Sequence, residues 1–330
     1  MSLRPTLDFL LYDWLDAPAL SGRERFADHS RETYDAVLDT CERIAREKYA
    51  PFNRTVDTQE PRIDGDQVVL PAATHAARKA YADSGMLAAA QDYADGGMQL
   101  PYTVEAAANA FFAMASVSIG SNLLTTGNKM WISAGDHELT ENIVHLVLAK
   151  IPGPDGALVA GTRGISLFIV PKRMVQVEAG TGGDVPVRVT LGERNDVALA
   201  GLNHKLGWRG TTNTLLNFGE GRYPVAGKAG AVGYLVGEAG KGLHCMFHMM
   251  NEARIAIGMA ASMLGMAGYH ASLEYARNRP QGRPVGPAGK DPAQPQVRII
   301  EHADVKRMLL AQKAYCEGAL ALQLYCARLV

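Results

Sequence analysis

The sequence lacks every mark of a secreted, disulfide-bonded or membrane-spanning chain. Its 330 residues include four cysteines, Cys41, Cys245, Cys316 and Cys326. These lie too far apart for the paired thiolates of a zinc ribbon or the density of a disulfide scaffold. No stretch approaches the roughly 20 consecutive apolar residues that cross a bilayer. The N-terminal MSLRPTLDFLLYDWLD sets Asp8 and Asp13 inside its apolar stretch and offers no small-residue cleavage site, so it does not read as a signal peptide. An excess of one charge is also absent: 33 Lys and Arg stand against 34 Asp and Glu. No global field therefore steers the chain to nucleic acid or anionic lipid. The expectation is a cytoplasmic protein with no membrane partner.

What is present fits an ordinary globular chain. Apolar residues make up 47% and charged residues 20%, well away from the composition of disordered proteins, and the length suggests about two domains. Apolar residues recur at helical spacing over residues 30–120, as in Tyr34, Val37, Leu38, Cys41, Ile44 and Ala45. Over 127–218 the texture changes to short β-branched runs, KMWIS, NIVHLVLAKI, GISLFIVPK, VPVRVTLG and TLLNF, separated by Gly, Pro and Asp clusters. Two long helical patterns follow, over 242–277 and 297–328, joined by the Pro/Gly segment RPQGRPVGPAGKDPAQPQ. The order is α, then β, then α.

Three glycines, Gly258, Gly265 and Gly268, sit in the first long C-terminal helix among alanines. Each costs roughly 1 kcal/mol against alanine in a helix interior, so they imply close approach of a neighbouring helix or subunit. His244 and His248 stand four apart as metal ligands often do, but without a third ligand or an HExxH pattern no metal site is read. GEAGKG at 237–242 lacks Walker spacing and reads as a turn from sheet to helix. Met246, Met249, Met250, Met259, Met263 and Met266 suit either an acyl pocket or core packing, and core packing is the simpler account. Residues 271–330 hold nine Lys/Arg against five Asp/Glu, a surplus that reads as a solvated face or as a patch for phosphates.

The densest chemistry lies in TGNKMWISAGDHELTENIVHLVLAK, residues 126–150. Trp131 and Ser133 are two apart, so a regular strand turns both to one face. A flat aromatic beside a hydroxyl can hold a planar heterocycle by stacking and one hydrogen bond. Spacing alone equally describes a core tryptophan next to a surface serine.

The run Gly127-Asn-Lys129-Met-Trp131-Ile-Ser133-Ala-Gly135 resembles the middle-domain signature of flavin-dependent acyl-CoA dehydrogenases. Further stretches agree in order: Asp95-Gly96-Gly97-Met98; Lys205-Leu-Gly207-Trp-Arg209 before TTNTLLNF; GEAGKGL leading into Asn251-Glu252-Ala253-Arg254; and Tyr275-Ala-Arg277-Asn-Arg279. The resemblance runs from about Leu7 to the C-terminus. SAGDHELTENIVHLVLAKIPG and GISLFIVPK look most like the large-subunit branch with 3-methylmercaptopropionyl-CoA dehydrogenases and the alkylation-response flavoproteins.

The resemblance implies an α+β fold: an N-terminal helical domain (1–122), a middle β-barrel domain (123–238) and a C-terminal helical bundle (239–330), the last incomplete. It implies FAD, with Trp131 and Ile132 beside the isoalloxazine, Ser133 bonding near flavin N5, and Arg279 reaching the pyrophosphate of a neighbouring subunit's FAD. A homodimer or homotetramer follows. The implied reaction is α,β-dehydrogenation of an acyl-CoA to a trans-2-enoyl-CoA, with electron-transfer flavoprotein or a similar acceptor as redox partner and Arg254 near the thioester. The alternative is a flavin-binding protein of the alkylation-response type that binds DNA or a protein partner.

Two departures bear on activity. Relatives insert several tens of residues where this chain has only Ser121–Thr125, and most place the catalytic glutamate beyond the second long helix. Segments of a longer enzyme are thus expected to be missing after Ser121 and after Val330, with a truncated paralogue as the alternative. A minority of relatives carry the glutamate at the position of Ala253. Glu252 is one residue off, about 100° around the helix, which makes it a weak candidate base.

Overall fold

The computed structural model describes residues 2–124, 130–178, 188–287 and 289–330. The first half carries helices α1 (Arg4–Asp8), α2 (Arg31–Ile44) and α3 (Asn53–Thr58), strands β1 (Arg62–Asp64) and β2 (Gln67–Val69), then α4 (Ala72–Asp83), α5 (Tyr102–Ala115) and α6 (Val117–Leu124). Strands β3 (Met130–Ser133), β4 (Val144–Lys150), β5 (Ile165–Pro171), β6 (Arg173–Glu178), β7 (Arg188–Arg194), β8 (Val197–Leu202), β9 (Asn213–Phe218) and β10 (Tyr234–Val236) follow. The C-terminal part holds α7 (Gly242–Asn278), the small hairpin of β11 (Val285–Gly286) and β12 (Gly289–Lys290), and α8 (Ala303–Leu329). The chain divides into two compact units, one of Met1–Ala50, Ala80–Val117 and Ile255–Val330, the other of Pro51–Lys79 and Ser118–Arg254.

The first unit is helical. Its α2 starts at a capping box, in which the Ser30 hydroxyl accepts from the Thr33 N–H and the Thr33 hydroxyl accepts from the Ser30 N–H. From there Tyr34, Leu38 and Cys41 form one buried row at i, i+4 and i+7. Arg4 ties α1 to α2 through Asp35 at 2.7 Å and Asp39. Alanines Ala106, Ala107, Ala108 and Ala110 let α5 run through the centre of the unit, where Phe112 meets Tyr49 at 4.8 Å and Tyr81 edge-on at 5.2 Å. Inner residues Leu309, Leu320, Leu324 and Ala327 bury one side of α8. Within α7, Gly258 approaches Gln323 and Gly265 approaches Cys316, the close helix contact that the glycines imply, while a side chain at Gly268 would meet nothing within 4 Å. Met259, Met263 and Met266 are buried in the core.

The second unit is built on antiparallel strands. One sheet runs β3-β9-β8, a second β10-β5-β4, and β6 pairs with β7. Among the described residues these are open sheets rather than the closed barrel of the expected middle domain. Val68, Ile132, Leu199 and Leu216 form one apolar cluster, Val147, Val170 and Val197 a second, and Phe218 packs against both. The sequence pattern missed β1 and β2, which it read as part of a helical third. A two-residue turn with Gly65 at φ +65° closes this hairpin and brings Val68 into the strand core. It also missed β6, β8 and β10; in β8 an extra residue opposite β9, between Leu199 and Gly201, breaks the alternation.

Candidate functional site

The site grows from β3. Its pairing with β9 shifts register between Met130 and Ile132, so Trp131 is the extra residue of a bulge, a feature that re-aims a strand. The alternation behind the shared-face argument is therefore interrupted at Trp131. That residue's side chain, and the Gly127–Lys129 part of the motif, lie outside the described residues. Ile132 is buried in the strand core and Ser133 is half-buried.

Beyond Ser133 the chain turns sharply. Ala134 takes a left-handed φ of 53°, a conformation costly for a residue with a Cβ. Its N–H is shared between the Thr212 carbonyl at 3.2 Å and the Thr212 hydroxyl at 3.0 Å, which holds the turn in place. Only glycine fits next, because a Cβ at Gly135 would stand 2.5 Å from Thr214 Oγ1.

Three polar residues that the sequence reading did not single out gather here, Asp136 and His137 following the turn and His145 on β4. Asp136 Oδ2 lies 2.7 Å from Lys172 Nζ, with side chains 2% and 10% exposed, and Asp136 Oδ1 accepts from the Val68 N–H. His145 is buried between two carbonyls, with Nε2 at 2.8 Å from Gly135 O and Nδ1 at 3.2 Å from Val170 O. Burial lowers its pKa, against the opposing pull of the two carbonyls, Gly135 O and Val170 O. In His137, Nδ1 accepts the Leu139 N–H at 3.2 Å, which places the ring proton on Nε2. Burial pushes the pKa of His137 down to about 4 against the opposing pull of Asp136 and Glu138. The only clue in the sequence was the crowding of titratable residues in GDHELTENIVH.

A pocket of about 180 Å³ opens here, walled by Ile132, Ile143, Val144 and Leu146 and edged by Ser133 and His137. It combines an apolar wall with a hydroxyl and a neutral N–H donor. The expected outcome for His137 is a long-range ¹H–¹⁵N NMR spectrum showing the neutral Nε2–H tautomer, with no titration between about pH 5 and 8. A midpoint near the ordinary histidine value would mean that the ring is solvated.

The remaining candidates lie elsewhere. Glu252 and Arg254 are both exposed on α7, and the Arg254 guanidinium sits 5.0 Å from the centre of the Phe247 ring. Arg279 belongs to the helical unit, just past the end of α7, where its N–H donates to Tyr275 O and its carbonyl accepts from Ile299. His244 and His248 meet edge to face at 5.4 Å.

In sequence and in fold the chain is similar to acyl-CoA dehydrogenases. The chain is 31% identical to 3-methylmercaptopropionyl-CoA dehydrogenase of Ruegeria pomeroyi over 92% of its own length and 58% of that protein's. It is 40% identical to a butyryl-CoA dehydrogenase of Syntrophomonas wolfei, over 59% of this chain and 29% of that one. The chain thus spans little more than half of the first of these relatives and under a third of the second. Among solved structures, butyryl-CoA dehydrogenase from Megasphaera elsdenii matches with a TM-score of 0.59 at 13% identity, over 88% of this chain and 77% of that one. A glutaryl-coenzyme A dehydrogenase complex matches with a TM-score of 0.61 at 14% identity, over 91% and 77%. No protein-family model matches the chain. Among the described residues no helix is long and apolar enough to cross a membrane.

Proposed function

We propose that this chain forms the flavin-contacting part of an FAD-dependent acyl-CoA dehydrogenase, converting an acyl-CoA to its trans-2-enoyl-CoA. The observation that carries the reading is the pocket at the end of β3, where Ser133 and His137 border an apolar wall, inside the stretch that resembles the family's flavin signature. Its size suits the edge of a planar ring rather than a whole dinucleotide. FAD, when bound, would take up the hydride that leaves the β-carbon. Ser133 Oγ would donate to one heterocycle atom, the backbone turn at Ala134 and Gly135 would fix that donor, and Ile132, Val144 and Leu146 would keep water away.

The remaining roles follow the resemblance. Trp131 would lie beside the ring, and Arg279 would meet the pyrophosphate of a neighbouring copy's FAD in a homodimer or homotetramer. Arg254 would lie near the thioester. The α-proton needs a base within reach; Glu252 is this chain's weak candidate, and a glutamate beyond residue 330 is its rival. An electron-transfer flavoprotein or similar carrier would reoxidise the enzyme, and the chain would divide functionally at 1–122, 123–238 and 239–330.

The test is a visible spectrum of the purified protein followed by anaerobic titration with acyl-CoAs of graded length. Bound flavin that bleaches with one of them is the expected result, and Ser133→Ala should weaken flavin binding about fivefold to tenfold, the loss of one hydrogen bond. Protein that takes up no FAD would overturn the reading. Flavin that no acyl-CoA bleaches, on a protein retained by DNA at low salt, would favour the binding-protein alternative.

A further inference from the structure

Five polar side chains line the pocket at the end of β3: Ser133, His137, Thr140, Asn142 and His145. Three of them are already engaged within the protein. Thr140 Oγ1 donates to Asn142 O at 2.7 Å. Asn142 Nδ2 donates to Arg173 O at 3.0 Å, while its Oδ1 accepts from the N–H groups of Ile143 and Arg173. His145 has a carbonyl at each ring nitrogen. That leaves Ser133 and His137. Among the described residues neither Ser133 Oγ nor His137 Nε2 has a hydrogen-bond partner, and neither atom is sealed from the space the pocket opens. A polar group left in this state calls for a ligand or a water.

The backbone decides what His137 can offer. Its Nδ1 accepts the Leu139 N–H at 3.2 Å, so the proton of the neutral ring sits on Nε2, across the ring from that contact. Burial lowers the pKa of His137 to about 4, with Lys172 and Arg78 acting in the same direction and Asp136 and Glu138 against it. The result is a donor without charge and without a lone pair to accept with. What it fits is an acceptor atom on an uncharged ring, beside the apolar wall of Ile132, Ile143, Val144 and Leu146.

We propose that His137 is a second donor to the bound heterocycle, its Nε2–H meeting a carbonyl oxygen on the ring edge next to the atom that Ser133 Oγ meets. The proposal rests on the flavin reading above and adds a residue to which the family resemblance gives no role. Hydride uptake leaves the ring with a negative charge shared among its carbonyl oxygens, and a hydrogen bond to a charged acceptor is roughly twice as strong as one to a neutral acceptor. His137 therefore holds the reduced ring more tightly than the oxidised one and raises its reduction potential.

The experiment compares two variants of the 330-residue chain, read by the FAD dissociation constant and by the reduction potential of the bound flavin against a reference dye. Asparagine keeps an acceptor for the Leu139 N–H and loses the donor, whereas glutamine keeps a donor at the far end and loses that acceptor. His137→Asn should weaken FAD binding about fivefold to tenfold and lower the potential. His137→Gln should stay within about twofold of the wild type at an unchanged potential. Urea midpoints report separately whether each variant is folded. In the unaltered protein, the Nε2–H proton resonance of His137 should move when FAD is added. The reverse order of the two variants would make His137 a support for the turn and overturn the proposal, as would variants that bind FAD like the wild type or a resonance that FAD leaves in place. Wild-type protein that takes up no FAD overturns the flavin reading and this proposal with it, a failure told from the others by the missing visible absorbance.

Discussion

Lys172→Met should lower the stability of the strand-built unit by about 3–5 kcal/mol, read as a shift of the urea midpoint at neutral pH. The size follows from what is left behind. Lys172 Nζ sits 2.7 Å from Asp136 Oδ2, and the carboxylate is 2% exposed. Its other oxygen has the Val68 N–H at 3.1 Å, a single neutral donor that cannot replace a cation. Methionine fills the same volume and offers nothing to the carboxylate, so the cost is that of an unpaired buried charge rather than of lost packing. Combining Lys172→Met with Asp136→Asn should recover much of the loss, because the amide oxygen still accepts from Val68 and no charge remains. A single-variant loss below about 1 kcal/mol would place the pair among solvated surface bridges. This unit carries the Ser133 turn, so flavin binding should fall in parallel with stability.

The second large effect belongs to Asp196, where β8 begins after the corner at Asn195. Its side chain receives the N–H groups of Tyr223, Gly221 and Gly230 at 3.0, 2.6 and 3.0 Å, and its own carbonyl receives that of Gly219 at 2.8 Å. One buried carboxylate thus organises the long connection between β9 and β10. Asp196→Ala would orphan three donors and should cost about 3 kcal/mol or more, with Asp196→Asn falling between.

The pH dependence has a definite sign. These backbone donors, led by the Tyr223 N–H, hold the carboxyl below its ordinary value. The unfolded chain therefore binds the proton first as the pH falls. The contribution is complete above about pH 4, the ordinary aspartate range, and is lost as the pH drops towards the lower native value. Urea titrations at successive pH values should show Asp196→Asn converging on the wild type only in that acidic window. A constant difference down to about pH 2 would mean that the native carboxyl is not held low.

Much of the architecture was legible because it is local. The change from 3.6-residue to two-residue periodicity placed the boundary between helices and strands, and the long helix expected over 242–277 is α7, Gly242–Asn278. The second was expected over 297–328 and runs Ala303–Leu329, its start delayed by a short turn at Ile299–Glu301. The motif around Ser133 drew notice for the same reason, as a run of nine neighbouring residues that resembles a family signature, whereas the turn at Ala134 and Gly135 depends on contacts with Thr212 and Thr214 and was not legible. The hairpin of β1 and β2 was not, because three-residue strands are too short for periodicity to register. The bulge at Trp131 escaped as well, being a property of β3 paired with β9 rather than of β3.

What the sequence determined by itself is the order α, β, α, the two long C-terminal helices and the family the chain resembles. Each rests on the spacing of neighbours along the chain. Only the tertiary structure decided that Val68, Asp136 and Lys172 meet, that His145 lies between Gly135 and Val170, and that Met308, Tyr315, Leu322 and Leu329 on α8 face outward. The reason is physical. Which polar groups are buried together, and which apolar rows stay uncovered, depends on contacts between residues distant in the chain, and those exist only once each unit has packed its own elements.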